Sequence, residues 1–144
     1  MEKVTPTMEP INRIRRVAVL GLGTMGHGIA QTFAMAGYDV ACYDESASAR
    51  ASLSERVREN LAAFVAAARI EPEQVEPTLA RLSLADTVDE AVADVQFLTE
   101  AIPEDLAVKQ ALLARLERIA APETILASNS SSFPISQSGR PPVP

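Results

Sequence analysis

Three groups of residues in the 144-residue chain have types and spacings that could do chemistry. The first is Gly21-Leu22-Gly23-Thr24-Met25-Gly26, which fits G-x-G-x-x-G. At a strand-to-helix junction, Gly21 permits the tight turn and Gly23 lets a pyrophosphate approach the backbone. Gly26 lets the helix pack close to the sheet. Free N–H groups and about half a positive charge at the helix start then hold the phosphates. The second is Asp44, 18 residues beyond Gly26, a carboxylate able to accept both hydroxyls of an adenosine ribose. Its charge would repel a 2′-phosphate, Glu45 adds a second negative charge, and the next arginine is Arg50, inside the following helix. The pattern therefore favours NAD over NADP. The third is Ser128-Asn129-Ser130-Ser131-Ser132, where a hydroxyl at the carboxyl end of a parallel strand could hydrogen-bond a substrate oxygen. His27 is the single histidine, so a mechanism needing a second one cannot be completed within this chain.

The surrounding elements must place these groups. Arg16-Val17-Ala18-Val19-Leu20 is a short apolar run meeting Gly21, the pattern of a buried parallel strand. From Thr24 to Met35, the residues Met25, Ile29, Ala30, Phe33 and Ala34 recur at helical spacing, with Gly37 as the stop. Asp39 to Asp44 is a second strand ending in acid, which completes a βαβ unit. Ser46 to Arg69 reads as one long alanine-rich helix with Leu53, Val57, Leu61, Phe64 and Val65 on one stripe. Pro72 and Pro77 bracket an acidic segment leading to a helical turn around Leu79, and Ser83-Leu84 reads as a brief strand. Thr87 to Ala93 reads as a short helix and Val95 to Thr99 as a buried strand. Glu104 to Ala120 reads as an amphipathic helix with Leu106, Ala111, Leu112, Leu116 and Ile119 inward, and Thr124 to Ala127 as a last strand. Alternating strands and helices predict an α/β, Rossmann-type, doubly wound parallel sheet over residues 16–137. An irregular lead (1–15) and a Pro-rich tail (138–144) flank it, leaving the sheet incomplete at its C-terminus with an unpaired edge after the fifth strand.

Composition narrows the function classes. A hydrophobic fraction of 47% is too high for a disordered tail. No apolar run approaches the ~20 residues of a membrane span, and residues 1–16 lack the apolar core of a signal peptide. A net charge of −6 provides no basic field for a nucleic-acid backbone. The lone cysteine, Cys42, excludes a disulfide framework and a thiolate zinc cluster, and its apolar strand makes it a core residue. Glu71, Glu73 and Glu76 read as a solvated face, and no metal site is expected. The expectation is a cytoplasmic protein without nucleic-acid or membrane partners.

The glycine loop, continued as His27-Gly28-Ile29-Ala30-Gln31, resembles the cofactor loop of the 3-hydroxyacyl-CoA dehydrogenases. So do Glu100-Ala101-Ile102-Pro103-Glu104-Asp105 and the serine cluster, in the right order, over about residues 14–135. The resemblance implies reversible oxidation of the 3-hydroxyl of an acyl-CoA, in fatty-acid metabolism, with hydride passing to NAD. It implies cofactor contacts at Gly21, Gly23, Thr24, Met25, Gly26, Asp44, Ala101, Ile102, Glu104, Lys109 and Ser131. Ser131 would also orient substrate near the reacting carbon. Without the resemblance, Lys109 reads as an ordinary surface lysine, Glu104 as a favourable helix start and the serine cluster as a polar turn.

The chain also departs from the family. The family's catalytic histidine, in a His-Phe-Phe-Asn-Pro-like segment with a glutamate partner, has no counterpart in these 144 residues. Its helical, dimer-forming C-terminal domain has none either, so the chain reads as a member truncated before the catalytic histidine. His27, in the phosphate loop, cannot stand in. Two CoA contacts of the family, a serine and a lysine, fall on Asn60 and Ala67, which leaves an acyl-CoA or a small 3-hydroxy acid as substrate. The alternatives are a non-catalytic NAD-binding module and a 3-hydroxy acid dehydrogenase of the gulonate dehydrogenase/λ-crystallin type. A 3-hydroxyisobutyrate-type enzyme ranks lower, because that type lacks the serine cluster here.

Overall fold

The computed structural model describes residues 13–138, so expectations for 1–12 and 139–144 lie outside the described residues. Five strands, β1 (Arg16–Leu20), β2 (Asp39–Tyr43), β3 (Leu82–Leu84), β4 (Phe97–Glu100) and β5 (Ile125–Ser128), form one sheet in the order β3-β2-β1-β4-β5. Every pairing is parallel. The reversal of strand order beside β1 opens a crevice above the carboxyl ends of β1, β2 and β4, where α/β sheets bind ligands. The predicted doubly wound parallel sheet is the fold found.

Strand alternation divides the core in two. Val17 and Val19 of β1, with Val40 and Cys42 of β2, face one side. There they pack on Ala30 and Ala34 of α1 (Thr24–Met35) and on Leu53, Val57 and Leu61 of α3 (Leu53–Ala66). Ala18 and Leu20 face the other side with Leu98, against Val88, Ala91 and Val92 of α5 (Val88–Val92) and Leu113 and Leu116 of α6 (Leu106–Ile119). Residues i and i+2 of a strand share a face, so this partition is what the pleat dictates. Burial pushes the Cys42 thiol up to about 12, which keeps it a protonated core group.

Several expectations are corrected. Ser46 to Arg69 is two helices, α2 (Ala47–Ala51) and α3, broken at Ser52. The Ser52 hydroxyl and the Arg56 guanidinium both donate to the Ala49 carbonyl and compete with the helical ladder there. Phe64 is not on the buried stripe; it is 39% exposed. On α1 the buried residues are Gly26, Ala30, Gln31 and Ala34, small enough to bring the helix close to the sheet, and Met25 is 59% exposed. On α6, Ala111 is exposed, and the buried stripe is Lys109, Leu113 and Leu116. Pro77 does not bracket a segment but lies inside α4 (Val75–Ala80), in the first turn, where its missing N–H costs nothing. A 3₁₀ turn, Pro72–Gln74, leads into it, and a short α7 (Ile135–Ser138) follows the serine cluster.

Candidate functional site

Gly21 leaves β1 with φ +96°, and its N–H donates to the Tyr43 carbonyl at 2.8 Å, tying the loop to the end of β2. A Cβ on Gly21 would stand 2.6 Å from the Ala101 carbonyl oxygen, and one on Gly26 1.7 Å from that of Gly21. Both positions exclude any side chain. At Gly23 the situation is opposite, since a Cβ there would meet nothing within 4 Å. Gly23 is also the N-cap of α1, which has no side-chain cap and no acidic residue in its first turn. The first-turn N–H groups, orphaned in any helix, thus meet no side-chain cap and no carboxylate of their own turn. That is the requirement for a pyrophosphate, and the loop fits one.

Asp44 follows β2, half-buried beside the loop. Its Oδ2 accepts from the Leu22 N–H at 2.7 Å and its Oδ1 from the Ser46 N–H at 2.8 Å. A carboxylate has about four lone-pair sites, so each oxygen can take a ribose hydroxyl as well. Arg50 is turned to the back of this loop: it donates to the Asp44 carbonyl at 2.5 Å and lies over the Tyr43 ring, 5.9 Å from its centroid. A cleft of about 810 Å³ runs from Gly21 and Asp44 between Val88, Ile102 and Leu112, apolar walls suited to a flat aromatic base. Ion-paired Asp89 and Arg115, on α5 and α6, join across its side.

The other expected residues gather at the ends of β4 and β5. Ala101 and Ile102 are half-buried against Gly21, Ser131 is exposed after β5, and Thr24 and Met25 are exposed in the first turn of α1. Glu104 is partly exposed and its Oε2 accepts from Ser130 Oγ at 2.9 Å. Lys109 is no surface lysine: it is 0% exposed. Its Nζ donates to both oxygens of Glu100, at 3.1 and 2.9 Å, and to the Ile102 carbonyl at 3.2 Å. Glu104 Oε1 lies 3.4 Å from the same ammonium. Glu100, also 0% exposed, accepts further from the Ile102 N–H and from the Ser128 hydroxyl. Sequence reasoning gave Glu100 no role, although the signal existed. Lys109 falls four and seven residues before Leu113 and Leu116, on the buried stripe, and Glu100 shares the pleat face of Leu98.

His27 belongs to a separate network. One ring nitrogen pairs with the Gly23 carbonyl at 2.8 Å and the other with Asn60 Nδ2 at 3.1 Å, and Asn60 also donates to Gln31 at 3.0 Å. These bonds tie α3 to the phosphate loop. Beside them, an uncharged groove holds Met25, Ile29, Phe33, Asn60 and Phe64. Glu71, Glu73 and Glu76 are exposed, and paired Arg58 holds the Glu76 carboxyl below its ordinary range. Among the described residues no group of three His, Cys, Asp or Glu could hold a metal, and no helix is long and apolar enough to cross a membrane.

Strand order, glycine loop and acid together define a dinucleotide-binding domain of the dehydrogenase kind. Residues 16–140 match the family model "3-hydroxyacyl-CoA dehydrogenase, NAD binding domain", and the chain belongs to that family, with NAD as its cofactor. It is 39% identical to a probable 3-hydroxybutyryl-CoA dehydrogenase of Bacillus subtilis, over 86% of this chain and 43% of that one. It is 36% identical to an L-carnitine dehydrogenase of Streptomyces coelicolor, over 85% of this chain and 37% of that one. The crystal structure of a 3-hydroxybutyryl-CoA dehydrogenase from Escherichia coli superposes with a TM-score of 0.81 at 37% identity, over 87% of this chain and 26% of that one. The chain thus spans less than half the length of these relatives.

Proposed function

We propose that residues 16–137 form the NAD-binding unit of an oxidoreductase acting on a 3-hydroxyacyl substrate. Gly21, Gly23, Thr24, Met25 and Gly26 would hold the pyrophosphate, and Asp44 the adenosine ribose. Ala101, Ile102 and Glu104 would border the nicotinamide half. NAD supplies a hydride acceptor when bound. This chain's residues would grip and orient it, and Ser131 would hydrogen-bond the substrate oxygen. Lys109 acts from beneath rather than by contact, because its ammonium is fully enclosed. The observation that carries the reading is the open, uncapped start of α1 at Gly23, with Asp44 beside it.

His27, the chain's single histidine, is engaged by Gly23 and Asn60 and so does not serve as the base that takes the hydroxyl proton, and turnover by this chain alone should be negligible. The groove between α1 and α3 favours a second reading of the substrate. Its lining carries no cation to meet a CoA phosphate, and one relative is an L-carnitine dehydrogenase, which supports a free 3-hydroxy acid.

Titration of the purified chain with NADH and with NADPH, following cofactor fluorescence, tests the cofactor site. Saturable NADH binding with much weaker NADPH binding is expected. Asp44→Asn should weaken NADH binding about 10- to 100-fold, the worth of a charge-assisted hydrogen bond. It should also narrow the gap to NADPH. Equal affinity of the unaltered chain for both cofactors would refute the assignment of Asp44.

A further inference from the structure

Glu100 carries a role that the cofactor site does not use directly. It is buried to 0% exposure at the end of β4, beneath α6, and satisfied on every side. Its two oxygens take the Lys109 ammonium, the Ile102 N–H and the Ser128 hydroxyl. Each partner leads to a different part of the rim. Lys109 reaches on to the Ile102 carbonyl and to Glu104. The Ser128 hydroxyl also accepts from the Ser130 N–H, and Ser130 Oγ both donates to Glu104 and accepts from the Phe133 N–H. The loop after β4 and the one after β5 meet directly, where Ser130 Oγ donates to Glu104 and the Asn129 N–H to the Glu100 carbonyl, and the Glu100 carboxylate ties both to the buried ammonium beneath them. The bonds of such a buried network strengthen one another, so losing one member weakens the rest.

The position of the network decides what it serves. In the sheet, β2 lies on one side of β1 while β4 and β5 lie on the other. A dinucleotide with its pyrophosphate at the β1–α1 loop and its adenosine at Asp44 must send its other half toward β4 and β5. We infer that Glu100 is a positioning residue for the nicotinamide half. Through Lys109 it sets Glu104, and through Ser128 it sets the Ser130–Ser131 turn. Removing its charge leaves Lys109 with Glu104 as its one carboxylate, which draws Glu104 inward and off Ser130. The inference rests on the proposed cofactor site and extends it to a residue that touches neither ligand.

The test compares two ligands on the full chain: NADH, which engages the whole crevice, and ADP-ribose, which lacks the nicotinamide. Three variants remove the charge, the serine link and the whole pair: Glu100→Gln, Ser128→Ala and the double variant Glu100→Leu/Lys109→Met. The double variant replaces a buried pair by apolar groups and keeps the fold if Glu100→Gln does not. Each should bind NADH about tenfold more weakly, the loss of one well-formed charged hydrogen bond, with ADP-ribose affinity changed less than about threefold. Equal losses for both ligands would mean that Glu100 merely holds the fold. Unchanged NADH binding in the double variant would overturn the inference as well. If the unaltered chain bound neither ligand, the cofactor site itself would fall, and the role of Glu100 with it.

Discussion

The β1–α1 loop presents backbone to its ligand; the ends of β4 and β5 present side chains anchored on buried charge. At the loop the important feature is missing atoms. Gly21 and Gly26 have no room for a Cβ, and Gly23 leaves its space open. At the strand ends the important feature is a complete set of partners around Glu100 and Lys109. The two regions therefore fail differently. An added methyl breaks the first by overlap, whereas a removed charge breaks the second by leaving its partner uncompensated in a buried site.

The largest expected effect is at the charged end. Lys109→Met leaves Glu100 buried without its cation and should cost about 3–5 kcal/mol of stability, read by urea denaturation. Adding Glu100→Leu should restore most of that loss, since no lone charge remains. A double variant as unstable as Lys109→Met would mean that packing, not charge, dominates there, and the contrast between the regions would fail.

Next in size is the glycine loop. Gly26→Ala sets a methyl 1.7 Å from the Gly21 carbonyl and should cost about 3 kcal/mol, the upper range of overpacking. NADH binding should fall with it, because the first turn of α1 must move. Gly23→Ala meets nothing in the chain and should change stability by less than about 0.5 kcal/mol. It should nonetheless weaken NADH binding, because the methyl enters the space assigned to the pyrophosphate. Unweakened binding by Gly23→Ala would place the phosphates elsewhere.

The same difference explains what was legible in the sequence. Glycine spacing is written in consecutive residues, so the turn, α1 and the acid after β2 could be found from local pattern. β1 and α1 fall within the bounds that their apolar runs and glycine stops suggest. The buried pair is assembled from β4 and α6, and each charged residue alone resembles a surface group. Only helical periodicity and the strand pleat, applied to Lys109 and Glu100 as strictly as to leucines, expose them as inward-facing. The break at Ser52 and the exposure of Phe64 were hidden for a related reason. They depend on which carbonyl a hydroxyl and a guanidinium choose, and on where α3 stops covering the sheet.

An effect expected on stability alone calibrates the others by separating stability from binding. α3 ends in a left-handed residue, Ala68, with φ 53°. Its N–H donates to the Val65 carbonyl, and the Arg69 N–H to that of Phe64, the pattern in which glycine is usual. An alanine there carries about 1–2 kcal/mol of local strain. Glycine removes it but gives the unfolded chain more freedom, offsetting about 0.4–1 kcal/mol. The net gain for Ala68→Gly should be about 0.5–1 kcal/mol, a rise in Tm of about 2–4 °C for a domain of this size. Neither the glycine loop nor the Glu100 network touches this turn, so NADH affinity should not change. A stabilised variant whose affinity rose in step would show that binding in this domain tracks global stability. The affinity losses expected at Gly23 and Glu100 would then no longer report local geometry.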